Sequence, residues 1–163
     1  ELKALGIKNI NVSLDAVTPE TFKKITRRAD FNKVQAQLYR LIEEGFNVKI
    51  NFVVLNGQNT SDILPMAEWA KKMPVSVRFL EEMPFNGGSR YFQEIQWNYR
   101  RLEQHLMAAY PTLKTIPVDK TSTSILYEAD GFVGNLGIIP AFSRTISGSC
   151  NRLRISATGD IIT

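Results

Sequence analysis

The sequence has few of the side chains that usually bind metals: its 163 residues include one cysteine, Cys150, and one histidine, His105. A single thiolate cannot hold an iron-sulfur cluster, which normally takes three or four protein ligands. The chain also shows no targeting segment, no low-complexity tract and no apolar run of membrane-spanning length. With 44% apolar residues it can bury the core of one domain, so we expect a globular protein of cytoplasmic origin.

Positive charge is in modest excess, with a formal net charge of +4. The adjacent basic pairs lie on predicted helices, where a solvated face explains them: Lys23-Lys24, Arg27-Arg28, Lys71-Lys72 and Arg100-Arg101. No basic tract with interleaved aromatics is present, which argues against a nucleic-acid partner. A surplus of cations also suits a small substrate that carries a triphosphate.

The first half of the chain alternates strand-like and helix-like periods. Three β-branched or aromatic runs, over 9–14, 47–55 and 75–80, predict strands, and each follows a segment with helical spacing. Helix signals separate them: Thr18-Pro19 at one start, Gly45 after an apolar stripe, and Ser61 as the cap of a third helix. This pattern predicts an α/β fold with a parallel sheet, either doubly wound or part of a barrel.

The pattern changes after Pro84. Residues 97–110 have the spacing of one helix, and shorter strands are predicted over 123–128, 132–139 and 151–157. We therefore divide the chain into a first domain of three βα units, residues 1–84, and a small α+β C-terminal subdomain, residues 85–163.

Two strands carry basic side chains where apolar ones are expected. Lys49 and Asn51 are two residues apart, so they share a face, and burying an unpaired ammonium there would be costly. Arg78 has the same setting in the next strand, alternating with Val77 and Phe79. Cations from neighbouring strands that converge would form an anion site. The alternatives are an exposed edge strand for Lys49 and a structural ion pair with Glu81 or Glu82 for Arg78.

Other candidates have equally simple structural explanations. Ser13 ends the first strand, where a serine often bonds local backbone, and Met83 follows the third, where a methionine is commonly core filler. Arg152 and Arg154 alternate beside Cys150, so on a strand both guanidinium groups leave one face near the sulfur. Alternate arginines also occur on solvated strands, and a lone cysteine is often an inert buried thiol.

Four segments taken together resemble one family. They are Asn11-Val-Ser-Leu-Asp15, Val48 to Val54 with Gly57 and Asn59, Arg78-Phe-Leu-Glu-Glu-Met-Pro84, and Gly148-Ser-Cys150-Asn-Arg152-Leu-Arg154 followed by Gly159-Asp160. Their order and spacing are similar to those of the MoaA family of radical S-adenosylmethionine enzymes, which act as GTP 3',8-cyclases in molybdenum cofactor biosynthesis. The resemblance covers essentially the whole chain. It implies the latter half of a partial (βα)6 TIM-type barrel followed by the family's C-terminal region.

The resemblance also implies roles for individual residues. Substrate GTP would be bound by Lys49, Asn51, Arg78, Arg152 and Arg154, of which the last two are needed for turnover. Ser13 and Met83 would contact S-adenosylmethionine, and Cys150 would ligate the second of two [4Fe-4S] clusters. The family's second-cluster motif is Cys-x2-Cys-x13-Cys, whereas this chain has Ser147 at the first position and stops one residue short of the third.

The chain also departs from the family at its beginning. Residues Glu1 to Gly6 are typical of the end of a helix, and the family's Cys-x3-Cys-x2-Cys loop, which holds the first cluster, is not in the sequence. We therefore expect an inactive fragment of a longer enzyme, one that self-associates through the cut barrel edge, whereas the family resemblance implies a homodimeric parent. Two alternatives stay open: a non-catalytic nucleotide-binding module, or half of a phosphosugar TIM-barrel enzyme.

Overall fold

The fold was analysed on a computed structural model that describes residues 2–83, 96–118, 122–141, 143 and 154–162. The first part contains β1 (Asn9–Ser13), α1 (Pro19–Thr26), α2 (Phe31–Glu43), β2 (Asn47–Val54), α3 (Ile63–Lys72) and β3 (Val75–Glu81). The second contains α4 (Tyr99–Ala109), β4 (Lys114–Ile116), β5 (Ile125–Glu128), β6 (Asn135–Ile139), β7 (Arg154–Ile155) and β8 (Ile161–Ile162). None of the helices in these described ranges is long and apolar enough to span a membrane.

Six strands form one mixed sheet in the order β1-β2-β3-β6-β5-β4. The first four in this order are mutually parallel, whereas β5 and β4 run antiparallel to their neighbours. Strands β7 and β8 pair with each other in a separate antiparallel hairpin. Because β6 joins the sheet beside β3, strands β4 to β6 extend the same sheet that the βα units begin.

Local signals explain where the helices start and stop. The Thr18 hydroxyl accepts a hydrogen bond from the Thr21 N–H, and Pro19 occupies the first helical position of α1. After α2, Gly45 adopts a φ of +75°, a left-handed conformation that glycine reaches without strain. These features confirm the sequence prediction for both helices.

The predicted cap of the third helix is wrong. Helix α3 is preceded by a 3-10 turn, Thr60–Asp62, and no side chain caps its first turn. The Ser61 hydroxyl instead bonds Asp62, whose carboxylate accepts a hydrogen bond from the Val17 N–H. The polar groups at this point tie two loops together rather than closing a helix.

The core lies on one face of the sheet. Along β2 and β3 every second side chain is buried against the helices, as in Val48, Ile50, Phe52 and Val54. Phe52 and Phe79 meet across this face edge to face, with ring centroids 5.6 Å apart. The residues that alternate with these buried ones along β2 and β3 point to the opposite face of the sheet. That face is where a ligand could contact the sheet.

The structure confirms the three predicted parallel strands within one residue at most ends, and it contains the predicted helix as α4. The strands predicted over 123–128 and 132–139 are present but shorter, as β5 and β6. Within 151–157 only Arg154–Ile155 is a strand in the described part, while 151–153 lie outside it. The α/β class is confirmed, and the division at residue 84 stays a prediction.

Candidate functional site

Two rows of mainly polar residues cross the face of the sheet opposite the helices that the structure describes. Strand register places Asn11, Lys49, Ser76 and Asn135 side by side in the first row. The second row, two residues along each strand, is Ser13, Asn51, Arg78 and Gly137. Alternation along the strands directs both rows to the same side. We call these eight residues the polar face.

Arg78 is the most constrained member of the polar face. Its Nε is buried and has no hydrogen-bond partner among the described residues. Burial lowers the pKa of the guanidinium, which nevertheless stays charged because an arginine side chain ordinarily loses its proton only at strongly alkaline pH. The alternative pairing with Glu81 is not formed, since that carboxylate lies on the helix-covered face and bonds the backbone of Tyr99 and Ser143.

Gly137 gives the Arg78 side chain its space. A Cβ at position 137 would come within 3.3 Å of the Arg78 Cγ and 3.1 Å of the Leu126 Cδ2. Both distances are shorter than most real Cβ contacts, so a larger residue here would require these two side chains to shift by a few tenths of an ångström. The absence of a side chain at Gly137 therefore leaves room for the Arg78 side chain on the neighbouring strand.

Two amides on the polar face share the condition of Arg78. The Oδ1 atoms of Asn51 and Asn135 are buried, and neither has a hydrogen-bond partner in the described ranges. A buried polar atom left unpaired costs on the order of 1–3 kcal/mol, so native proteins usually satisfy such atoms with protein, water or ligand. Three unpaired atoms on one face are the pattern expected of a surface that binds a polar molecule.

A cavity of about 260 Å³ opens at the amino-terminal end of the polar face. Its polar lining includes Lys49, Ser76 and Asn135, together with Asn47 from the start of β2. Among the described residues neither Lys49 nor Arg78 takes part in an ion pair. Neither row of the polar face contains a carboxylate, so its two cations are available to an anion.

The carboxyl ends of β1 and β2 are held together by the half-buried side chain of Asp15 and the fully buried side chain of Asn59. The Asp15 Oδ1 accepts a hydrogen bond of 2.7 Å from the Val53 N–H. Burial raises the pKa of Asp15, and this backbone hydrogen bond partly offsets the rise. The fully buried amide of Asn59 donates to the carbonyls of Asp15 and Val53, each at 2.9 Å.

In the sequence, Asp15 and Asn59 were named only as parts of two family segments, and neither was given a separate role. The structure shows that both side chains bind backbone across the junction of two strands. The only sequence signal is the recurrence of short polar residues at two strand ends. It does not reveal that they meet, because their contacts span about forty residues of chain.

The structure brings together four of the residues singled out by sequence: Ser13, Lys49, Asn51 and Arg78 all belong to the polar face. Met83 is 48% exposed, two residues beyond β3 at the carboxyl edge of the sheet. Their assignment to particular ligands stays a prediction.

The remaining predicted site residues belong to the C-terminal motif. Arg154 lies in β7, paired with Ile162, whereas Cys150 and Arg152 lie outside the described residues. No group of three or more potential metal ligands occurs within the described ranges, so these residues alone do not fit an iron-sulfur cluster.

A mixed, mainly parallel sheet whose described helices pack on one face defines a protein of the α/β class. Family comparisons divide the chain in two. The model of the radical SAM superfamily matches residues 1–70, and the model of molybdenum cofactor synthesis C matches residues 75–163. The chain belongs to the molybdenum cofactor synthesis family of radical SAM proteins.

Named relatives agree with the family models. Molybdenum cofactor biosynthesis protein 1 of Homo sapiens is 36% identical over 162 residues, covering 99% of this chain and 25% of that protein. The Drosophila melanogaster protein of the same name is 34% identical, covering 98% and 28%. A GTP 3',8-cyclase of Clostridium botulinum strain Langeland is 34% identical, covering 99% and 50%. The chain therefore spans a quarter to half of the length of these relatives.

Proposed function

We propose that this chain is the C-terminal half of a GTP 3',8-cyclase, and that its polar face forms part of the cavity for GTP and S-adenosylmethionine. The whole enzyme would convert GTP to (8S)-3',8-cyclo-7,8-dihydroguanosine 5'-triphosphate in molybdenum cofactor biosynthesis. The similarity to a cyclase of that name supports the substrate. In this proposal β1, β2 and β3 belong to the latter half of a partial (βα)6 barrel, and their share of the polar face lies on its inner wall.

One observation carries the proposal. The polar face combines two cations that lack ion-pair partners with three buried polar atoms that lack hydrogen bonds, all counted among the described residues. A structural surface would pair these groups internally, because leaving them unpaired destabilises the fold. A triphosphate offers oxygens to Lys49 and Arg78, and its nucleoside offers donors and acceptors to the amides.

The proposal divides the residues between two ligands. Lys49, Arg78, Arg152 and Arg154 would hold the triphosphate, with Asn51 beside it. Ser13 and Met83 would contact S-adenosylmethionine, which when bound supplies the radical that starts the rearrangement. Placing these two at the carboxyl ends of β1 and β3 agrees with the usual location of ligands in parallel sheets.

The full-length protein provides the test. After anaerobic reconstitution with iron and sulfide, it should convert GTP to the cyclic product while consuming S-adenosylmethionine. The 163-residue chain under the same conditions should cleave neither compound, because the family's first-cluster loop is missing from its sequence. A reconstituted full-length protein that alters neither GTP nor S-adenosylmethionine would contradict the proposal.

A non-catalytic nucleotide-binding module is the second candidate, and Ser147 favours it. The family's second cluster would lack a ligand at this position even in the full-length protein. Iron analysis separates the two candidates: about eight irons per chain indicate two clusters, whereas about four indicate one. GTP binding without turnover, combined with the lower iron content, would support the module.

Self-association of the isolated chain is a further part of the proposal. Strand β1 is the outer strand of the sheet and pairs only with β2 among the described strands. Beside it a cavity of about 330 Å³ is lined by Val12, Val34, Leu38 and Leu41. An open strand edge next to apolar surface favours pairing with another copy. Light scattering should show a dimer or larger species, and a monodisperse monomer at high concentration would contradict this.

A further inference from the structure

The ends of β1 and β2 are held by side chains where the strand ladder stops. The last ladder bond joins the Leu14 N–H to the Asn51 carbonyl at 3.0 Å. Beyond it β1 diverges, and the Val53 N–H turns to the Asp15 carboxylate while the Val53 carbonyl turns to Asn59. Side chains therefore satisfy backbone groups that the next pair of ladder residues would otherwise satisfy.

Asn59 is the centre of this arrangement. Its amide donates to the carbonyls of Asp15 and Val53, and its Oδ1 accepts a bond of 2.8 Å from the Leu55 N–H. All three contacts are to backbone, and the side chain is completely buried. The side chain therefore uses both its N–H donors and its oxygen acceptor in hydrogen bonds to backbone groups.

The turn before Asn59 brings it back against the strands. Gly57 has a φ of +68°, a left-handed conformation that reverses the chain after β2. Three residues after Asn59, the Asp62 carboxylate accepts a hydrogen bond of 3.1 Å from the Val17 N–H. The segment 59–62 thus contacts the loop after β1 at two points, residues 15 and 17. We call Asp15, Asn59 and Asp62 the clasp.

We propose that Asn59 is a positioning residue that fixes the loop after β1, and with it Ser13, against the end of β2. This inference rests on the proposed function, in which Ser13 contacts S-adenosylmethionine. Ser13 is the last residue of β1 and lies two residues before Asp15, so it adjoins the loop that the clasp holds. Arg78 lies on β3 between two paired strands and does not depend on the clasp.

Two isosteric substitutions distinguish the contribution of the Asn59 amide donors from that of the Asp15 acceptor. Asn59→Asp keeps an oxygen for the Leu55 N–H but replaces the two-donor amide with an acceptor facing two carbonyls, so it should be at least as damaging as Asn59→Ala. Asp15→Asn keeps an acceptor for the Val53 N–H and should preserve positioning. The exposed Asn56, in the same loop, provides the matched control Asn56→Ala.

The experiment measures both ligands on the reconstituted full-length protein. In Asn59→Ala and Asn59→Asp, the Kd for S-adenosylmethionine should rise about tenfold, the scale seen when a binding group loses its supporting shell. The Kd for GTP should stay within about twofold, and Asn56→Ala and Asp15→Asn should match the unchanged protein. Equal weakening of both ligands, or of neither, would overturn the proposal.

Amide hydrogen exchange gives a second test that needs no ligand. Loss of Asn59 should accelerate exchange at Leu55, its direct partner, and also about tenfold at Val53, whose own acceptor Asp15 is untouched. Acceleration confined to Leu55 would show a local bond and overturn the clasp. If the unchanged protein binds neither ligand, the proposed function fails, and the exchange at Val53 still decides whether Asn59 positions the loop.

Discussion

The two faces of the six-stranded sheet use the same strands for opposite purposes. On the helix-covered face, alternate residues such as Ile50, Phe52 and Phe79 are fully buried in an apolar core. On the polar face, the residues between them are Asn51 and Arg78, with atoms that are buried yet unpaired within the described ranges. The first face contributes stability, and the second carries a cost in stability that a ligand can offset.

This difference teaches where to look for function in the chain. Burial alone does not separate the faces, because Arg78 and Asn51 also contain buried atoms. What separates the faces is whether their buried polar groups have hydrogen-bond partners. Glu81, on the helix-covered face, accepts hydrogen bonds from the Tyr99 N–H at 2.5 Å and the Ser143 N–H at 2.8 Å. Buried polar atoms are hydrogen-bonded at Glu81, on the face that forms the core. They lack partners among the described residues at Arg78 and Asn51, on the face where a ligand is proposed.

The largest expected effect is on the free energy of unfolding. Phe52→Ala should destabilise the chain by about 3–5 kcal/mol, because it removes a fully buried ring that packs against Phe79. Its neighbour on the opposite face supplies the contrast: Asn51→Ala should cause no loss of stability, because it removes a buried oxygen that has no hydrogen-bond partner among the described residues. Urea unfolding measures both. Similar losses for the two variants would break the distinction between the faces.

Glu81 tests the one buried carboxylate on the apolar side of β3. Glu81→Gln should cost about 1–3 kcal/mol, because the amide replaces an acceptor oxygen that faces backbone and hydroxyl donors of Tyr99 and Ser143. The adjacent Glu82 is exposed, so Glu82→Gln is a matched control with little expected change. Chemical denaturation of both variants checks the result, and equal stabilities would contradict a structural role for Glu81.

Asp15 sharpens the comparison at the junction of the faces. Burial raises the pKa of Asp15 in the folded chain above its ordinary value of 3.8. The protonated form therefore contributes stability that is fully present below pH 3.8 and is lost as the pH rises through the pKa of the folded state. Asp15→Asn should therefore be more stable than the unchanged protein at pH 7, by less than about 1 kcal/mol at this partly exposed site. The difference should vanish in acid; a difference that grows there would reverse the assignment.

The sequence predicts most local elements and singles out four of the eight residues of the polar face. Alternation in β2 and β3 places Lys49, Asn51 and Arg78 opposite the core, and Thr18 and Gly45 mark helix ends because their effects act within one turn. Strand order is harder, since the helix α4 and two strands intervene before β6 returns beside β3.

The clasp could not be predicted for a related reason. Three of its bonds join a side chain to a backbone group about forty positions away, and no local period encodes such contacts. They form only where the loop after β1 meets the segment 59–62. Only the assembled sheet shows which polar residues are paired and which are left for a ligand.

GTP binding by an Arg78 variant tests the central claim most directly. In the full-length protein, Arg78→Ala should weaken GTP binding about tenfold or more, the value of a hydrogen bond to a charged group, while guanosine binding stays unchanged. Arg40 on α2 is exposed and pairs with Glu44, so Arg40→Ala controls for the loss of one positive charge. An equal loss of GTP affinity in both variants, or none in Arg78→Ala, would contradict the account.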